Sequence, residues 1–132
     1  MADFKNLVVW QKAHQLSLAT AESLEGIKGS TASIIRAQLI RSILSIQANL
    51  AEGSAKRSDR EFARFVRIAL GSSTESENHL IVLRDMRLLD RNTFDALHDR
   101  LSEIGRMLTG LERRLDTDAA NRRSALPKAD RR

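Results

Sequence analysis

The sequence predicts an all-α fold: an antiparallel, up-down-up-down four-helix bundle followed by a disordered C-terminal tail. Two observations support this prediction. The only proline in the 132-residue chain is Pro127, so no residue before it forbids a helix. In addition, apolar residues recur at steps of three and four in four consecutive segments. The connections between these segments are short, which makes sequential helices antiparallel neighbours.

The first predicted helix covers about residues 6–25. Its apolar face consists of five positions at helical spacing, namely Trp10, Ala13, Leu16, Thr20 and Leu24. Gly26 and Gly29 follow this face and indicate the end of the helix and a loop. A second helix is therefore expected to begin directly after Gly29.

The second predicted helix begins at Ser30 or Thr31, because either hydroxyl group can cap a helix N-terminus. Its apolar stripe consists of Ile35, Leu39, Ile43, Ile46 and Leu50. We expect Gly53 to close this helix, as glycine commonly does at a helix C-terminus.

The third predicted helix starts with the clearest local signal in the chain. Ser58 and Glu61 have the spacing of a capping box, in which each side chain meets the backbone N–H of the other residue. The predicted core face consists of Phe62, Phe65, Val66, Ala69, Ser73, Leu80 and Leu83. This helix is expected to run to about Leu89.

The fourth predicted helix is capped by Asp90 and ends at Leu115. Its core positions are Phe94, Leu97, Leu101, Ile104, Leu108, Leu111 and Leu115. After Leu115 the apolar repeat stops, and polar, charged and small residues take over. Residues 1–115 are therefore predicted to form the bundle domain, and residues 116–132 a flexible basic tail without fixed structure.

The composition argues against several classes of function. The chain has no cysteine, which excludes disulfides, thiolate metal sites and cysteine nucleophiles. It also lacks a Glu-x-x-His motif, a glycine-rich phosphate loop and a nucleophile elbow. We therefore expect no enzymatic activity, no catalytic residues, no metal and no cofactor. With no membrane span or signal-peptide pattern, the protein is expected to be cytoplasmic.

The net charge is +5, from 22 basic and 17 acidic side chains; the tail, residues 116–132, carries +2, and residues 56–67 carry the remaining +3. Within that segment, four arginines at steps of three, four and three form what we call the arginine ladder: Arg57, Arg60, Arg64 and Arg67. Such a ladder along one side of the third helix can follow a nucleic-acid backbone. The alternative is a solvated face whose arginines pair with carboxylates such as Asp59 and Glu61.

Small residues accumulate on the second and third predicted helices. They are Ala48, Ala51, Gly53, Ala69, Gly71, Ser72 and Ser73. Small side chains let helices approach closely, either inside one bundle or between subunits. If subunits associate, four polar residues are candidates for setting the register of the interface: Asn49, Glu52, Glu75 and Glu77.

Three blocks of the sequence resemble the bacterial four-helix-bundle proteins encoded in intervening sequences of large-subunit ribosomal RNA genes. The matching residues are Phe4, Leu7, Val9, Trp10, Gln11, Lys12 and Ala13; then Gln38, Leu39, Arg41, Ser42, Ser45, Ile46, Ala48, Asn49, Ala51, Glu52 and Gly53; then Ser58, Glu61, Phe62, Phe65, Ile68, Ala69, Gly71, Ser72, Glu75 and Leu80. The chain departs from that family where Gly29-Ser30 replaces a frequent Phe-Pro and where Gln47 replaces a proline.

The resemblance implies an antiparallel four-helix bundle without established enzymatic activity. Relatives of the family are similar to the accessory subunit of diversity-generating retroelements, which forms a ring-shaped homopentamer and binds a reverse transcriptase and nucleic acid. A homo-oligomer, in particular a pentamer, is thereby implied. The leading hypothesis is a self-associating bundle that binds nucleic acid, especially structured RNA, through its basic surface. The alternative is a scaffold or accessory subunit for a reverse transcriptase or another protein, without direct contact to RNA or DNA.

Overall fold

A computed structural model describes residues 3–131 and confirms the all-α four-helix bundle. The helices are α1 (Val8–Leu24), α2 (Ser30–Ser54), α3 (Asp59–Asp85) and α4 (Arg91–Ala125). Short 3-10 turns at Phe4–Asn6 and Lys128–Asp130 flank them, and residues 3–131 contain no β-strand. None of the helices in this range has an apolar run long enough to cross a bilayer.

Each helix packs against its two neighbours in the bundle, α1 on α2 and α4, and α3 on α2 and α4. Contacts between α2 and α3 show that these two helices are antiparallel. The hydroxyl oxygens of Ser42 and Ser76 lie 2.7 Å apart, and those of Ser45 and Ser72 lie 2.9 Å apart. The residue numbers rise on one helix as they fall on the other, as the up-down-up-down topology requires.

The core follows the predicted apolar faces closely. It is one cluster of buried residues that extends from Val9 on α1 to Leu115 on α4. All seven core positions predicted for α4 are buried. On α3, Phe62 and Phe65 are only half-buried, because they pack against the C-terminal end of α2 at the edge of the core.

The start of α2 differs from the prediction. Its N-cap is Gly29, and neither Ser30 nor Thr31 caps the helix with its hydroxyl group. Gly29 has φ 113° and ψ 151°, a conformation that glycine adopts without the steric cost that other residues meet. The capping prediction is therefore wrong, because the loop turns at Gly29 and places Ser30 inside the first turn of the helix.

The start of α3 shows one of the two hydrogen bonds predicted for the capping box, and its end comes earlier than predicted. The Ser58 hydroxyl oxygen accepts a hydrogen bond of 3.1 Å from the Glu61 backbone N–H. The helix ends at Asp85 instead of continuing to about Leu89. The N–H of Leu88 donates to the carbonyl of Leu83 at 2.9 Å, one of the two hydrogen bonds that define a Schellman motif.

The residue that turns the chain at this helix end is Arg87, which has φ 60°. Its N–H donates to the Arg84 carbonyl at 2.9 Å and completes the Schellman motif. This position usually holds glycine, because a side chain in the left-handed conformation costs energy. An arginine here carries no sequence signal for a helix end, so the periodic pattern predicted a longer helix.

Replacing Arg87 by glycine is expected to raise the free energy of unfolding by about 0.5–1 kcal/mol. Relief of the left-handed strain is worth about 1–2 kcal/mol. This exceeds the free energy by which the extra backbone freedom of glycine stabilises the unfolded chain. Urea unfolding of the two proteins measures the difference. The control is Arg91→Gly in the right-handed first turn of α4, which should lower stability. A loss of stability in Arg87→Gly would contradict the explanation.

The C-terminal part of the chain differs most from the prediction. α4 continues ten residues beyond Leu115, so residues 116–125 are helical and not without fixed structure. Leu115 is nevertheless the last buried residue of the described chain, where the apolar repeat stops. The helix continues because nothing forbids it before Pro127, and Leu126 already has the extended conformation typical of a residue before proline.

Candidate nucleic-acid interface

The antiparallel packing brings two charged segments to the same end of the bundle. These segments are residues 54–67, which contain the α2–α3 loop, and residues 112–131, at the C-terminal end of α4; we call them together the basic end. The first has five basic and two acidic side chains, and the second six basic and four acidic. Their surpluses of +3 and +2 equal the net charge of +5, so the rest of the chain is neutral.

The arginine ladder is only partly helical. Arg57 lies in the loop before Ser58, which caps α3, whereas Arg60, Arg64 and Arg67 lie on the helix. The prediction that all four line one side of α3 is therefore wrong for Arg57, because the capped helix begins only at Asp59. All four side chains are exposed.

Arg67 faces α4, unlike the other members of the ladder. One of its guanidinium nitrogens lies 3.5 Å from a carboxylate oxygen of Glu112 and 3.4 Å from one of Asp116. Its partners are therefore on α4 and are not the carboxylates that the sequence suggested. Arg57, Arg60 and Arg64 make no ion pair with any described carboxylate, which leaves three unpaired cations on this side of the basic end.

A second ion pair connects the helical extension of α4 to the first turn of α3. A guanidinium nitrogen of Arg122 lies 3.0 Å from Oδ2 of Asp59. The contact does not have the geometry of a hydrogen bond, and this Oδ2, enclosed from solvent, has no hydrogen-bond donor among residues 3–131. The sequence pattern predicts Arg122 in a disordered tail, and no local pattern connects residues 63 positions apart.

A cleft of about 550 Å³ lies between the α2–α3 loop and α4 at the basic end. Its charged lining consists of Lys56, Arg57, Arg114 and Arg122, together with Asp59 and Asp118. The Lys56 ammonium group lies 5.2 Å from the centre of the Phe65 ring, within the range of a cation–π interaction. The cleft therefore collects cations from both charged segments.

The four polar residues predicted to set register do not come together. Asn49 is half-buried and donates 2.8 Å and 3.1 Å hydrogen bonds to the carbonyl and hydroxyl oxygens of Ser45 on its own helix. Glu52 and Glu75 are exposed. Glu75 pairs with His79 on α3 at 3.2 Å, and Glu77 pairs with His98 on α4 at 2.7 Å. Their role in an interface between subunits stays a prediction.

Two exposed carboxylates elsewhere have lowered pKa values. The backbone N–H of Thr93 donates to Asp90 at 2.7 Å, which holds the pKa of this N-cap residue below its usual value. The hydrogen bond from Lys12 to Glu103 does the same for the pKa of Glu103. Both stay ionised near neutral pH; Asp90 caps α4, and Glu103 links α4 to Lys12 on α1. Within residues 3–131, no three potential metal ligands form a cluster.

Fold and charge distribution together define a class: small four-helix-bundle proteins with a single basic end. The model of the family described as 23S rRNA-intervening sequence protein matches residues 5–110. The chain therefore belongs to this family, which confirms the resemblance carried by the three sequence blocks.

A solved structure supports the same fold. It is that of a protein with unknown function from the S23 ribosomal protein family of Bacteroides thetaiotaomicron. The two chains are 23% identical and superpose with a TM-score of 0.73, over 80% of this chain and 98% of the other. Likeness at this identity shows the fold alone. No curated protein matches the chain.

Proposed function

We propose that this protein is a non-enzymatic, self-associating bundle whose basic end binds the phosphate backbone of structured RNA. One observation carries the proposal: the whole net charge of +5 lies in two segments that the fold places side by side. A concentrated positive surface attracts polyanions and speeds their association. Contacts to phosphates would supply most of the affinity, without regard to base sequence.

The exposed arginines suit this role better than a structural one. Arg60 and Arg64 are one helical turn apart, about 6 Å along α3, and neither makes an ion pair in the described structure, although the Arg64 guanidinium group lies 5.9 Å from the centre of the Phe65 ring. A guanidinium group can hold a phosphate through two parallel hydrogen bonds. Phe62 and Phe65 are half-buried against Gly53, so they offer no open platform for stacking bases. Recognition would therefore depend on phosphate position and RNA shape.

Replacing Arg60 and Arg64 together by glutamine is expected to weaken the binding of a fluorescent RNA hairpin. Loss of two phosphate contacts should flatten the plot of log affinity against log salt concentration by about two units. Fluorescence anisotropy between about 50 and 200 mM salt measures both effects. The matched control replaces Arg87 and Arg91, at the opposite end of the bundle, by glutamine. This variant should leave the salt dependence of RNA binding unchanged.

Two outcomes would overturn the proposal. If the unmodified protein does not bind RNA at low salt, where non-specific attraction is strongest, the nucleic-acid function is wrong. If both double variants lose affinity equally, the binding depends on total charge, and the basic end is not the site. The first result favours the alternative, a scaffold or accessory subunit that contacts a protein such as a reverse transcriptase.

Self-association, and the scaffold alternative, are supported by an apolar surface on α2 and α3. Ile34, Leu44 and Ile68 are 64%, 46% and 42% exposed. Ala48 and Gly71 are also exposed. We call these five residues the apolar face. Leu44 and Ala48 lie on one side of α2 because four residues separate them. A second copy of the chain is the proposed partner, in a ring of the kind that the family resemblance implies.

A further inference from the structure

The extension of α4 lies beyond the buried core and is joined to α3 by two ion pairs. Beyond Leu115 it buries no side chain. Its contacts to α3 are the Arg67–Asp116 ion pair at 3.4 Å and the Asp59–Arg122 ion pair at 3.0 Å. Ion pairs at a protein surface contribute little stability and exchange readily for other charged partners. The attachment can therefore open without disturbing the core.

Asp59 is the unusual member of this attachment. Its side chain is 20% exposed, and its Oδ2 is enclosed at the cleft without a hydrogen-bond donor. A carboxylate oxygen normally accepts several hydrogen bonds, so this one is poorly satisfied. Arg122, in contrast, is 71% exposed and can turn toward solvent or toward a ligand. The pair thus joins an enclosed, poorly satisfied carboxylate to an exposed guanidinium group.

We propose that Asp59 acts as an internal anion that occupies, in the free protein, the place of a nucleic-acid phosphate. In the complex, Arg122 would leave the Asp59 carboxylate and bind the phosphate. Water would then hydrate the Asp59 carboxylate. The exchange conserves the charge pairing of Arg122, and phosphate offers it more acceptor oxygens than a carboxylate does. This inference rests on the proposed RNA binding, and it assigns to Asp59 a role that weakens that binding.

A polyanion fits this site better than a single phosphate ion. Arg57, Arg114 and Lys56 line the same cleft as Arg122, and Arg60 lies one helical position beyond Asp59. A chain of phosphates can contact several of these cations at once and release several counterions. A single inorganic phosphate can take the place of Asp59 beside Arg122 but cannot extend along the other cations. Competition with inorganic phosphate therefore shows whether the site binds the phosphates of a nucleic acid or the free phosphate ion.

The test compares two variants that each remove one negative charge from the first turn of α3. Asp59→Asn frees Arg122, whereas Glu61→Gln removes an exposed carboxylate that makes no ion pair in the described structure. Asp59→Asn should raise the affinity for a labelled RNA hairpin roughly tenfold and steepen its salt dependence by about one unit, as one added phosphate contact predicts. Glu61→Gln should raise affinity about twofold and leave the slope unchanged.

A double variant tests whether Arg122 carries the gain. In Asp59→Asn with Arg122→Gln, the salt slope should return to that of the unmodified protein. Millimolar inorganic phosphate should compete weakly with the hairpin in every variant. Thermal unfolding followed by circular dichroism checks that all variants keep the fold.

Three results would overturn the inference. Equal gains in Asp59→Asn and Glu61→Gln would show a general charge effect, and a gain that survives Arg122→Gln would exclude Arg122 as the phosphate ligand. Displacement of the hairpin by inorganic phosphate at equal concentration would assign the site to the free ion. In each case the unmodified protein still binds RNA, so the proposed function stands. If the unmodified protein does not bind RNA, both the proposed function and this inference are wrong.

Discussion

Replacing Gly53 by alanine is expected to destabilise the bundle by about 3 kcal/mol. A Cβ atom at this position would lie 2.6 Å from Cβ of Phe65 and 2.9 Å from Cδ1 of Phe62. The Phe62 ring can turn away, but Cβ of Phe65 moves only with the backbone of α3. The two helices would have to separate along their contact, which costs more than the roughly 1 kcal/mol of helix propensity that alanine gains over glycine.

The matched control is Gly110→Ala on α4. Gly110 is also helical, but no atom lies within 4 Å of the Cβ that alanine would add. This variant should therefore be more stable than the unmodified protein, by up to about 1 kcal/mol. Urea unfolding of both variants gives the two free energies on one scale. If Gly53→Ala were as stable as Gly110→Ala, the close approach of α2 and α3 at Gly53 would not be needed for stability.

The second large effect concerns assembly. Light scattering of the unmodified protein is expected to report several times the monomer mass of 14.8 kDa. Replacing Leu44 by arginine should reduce this to the monomer mass, because the variant places a charge in the centre of the apolar face. Burial of a charge without a partner costs far more than the interface gains from one leucine.

A control separates the apolar face from a general effect of added charge. Leu126→Arg makes the same chemical change at a residue that is 45% exposed, beyond the end of α4 and away from α2. This variant should keep the mass of the unmodified protein. A monomeric unmodified protein at micromolar concentration would contradict self-association, and an unchanged mass for Leu44→Arg would place the interface on another surface.

Local signals in the sequence were sufficient for the number of helices and their core faces, but not for every helix end. The Ser58 cap and the last buried position at Leu115 follow from hydrogen-bonding groups and apolar periods within one segment, and both are confirmed. Gly53 shows the limit of such signals. It was expected to stop α2, but it lies inside the helix and serves the approach of Phe62 and Phe65. A glycine suits both purposes, and only the neighbouring helix distinguishes them.

The polar contacts between helices differ in how far the sequence indicates them. The serine pairs between α2 and α3 have a recognisable source, because small polar residues recur at helical spacing in both segments. The partners of Arg67 and Arg122 have no such signal. Glu112, Asp116 and Asp59 are distant in sequence, and equally plausible carboxylates were nearer.

The sequence by itself determined the four helices, their core faces, the family and the sign of the charge, because these depend on residue types within single segments. Only the tertiary structure decided which arginines make no ion pair and that Arg57 lies in the loop before α3. It also decided that the C-terminal end of α4 and the α2–α3 loop lie together in one basic end. The physical reason is that an ion pair depends on the rotation and separation of two packed helices. Those quantities are set by the whole core at once, and no single segment encodes them.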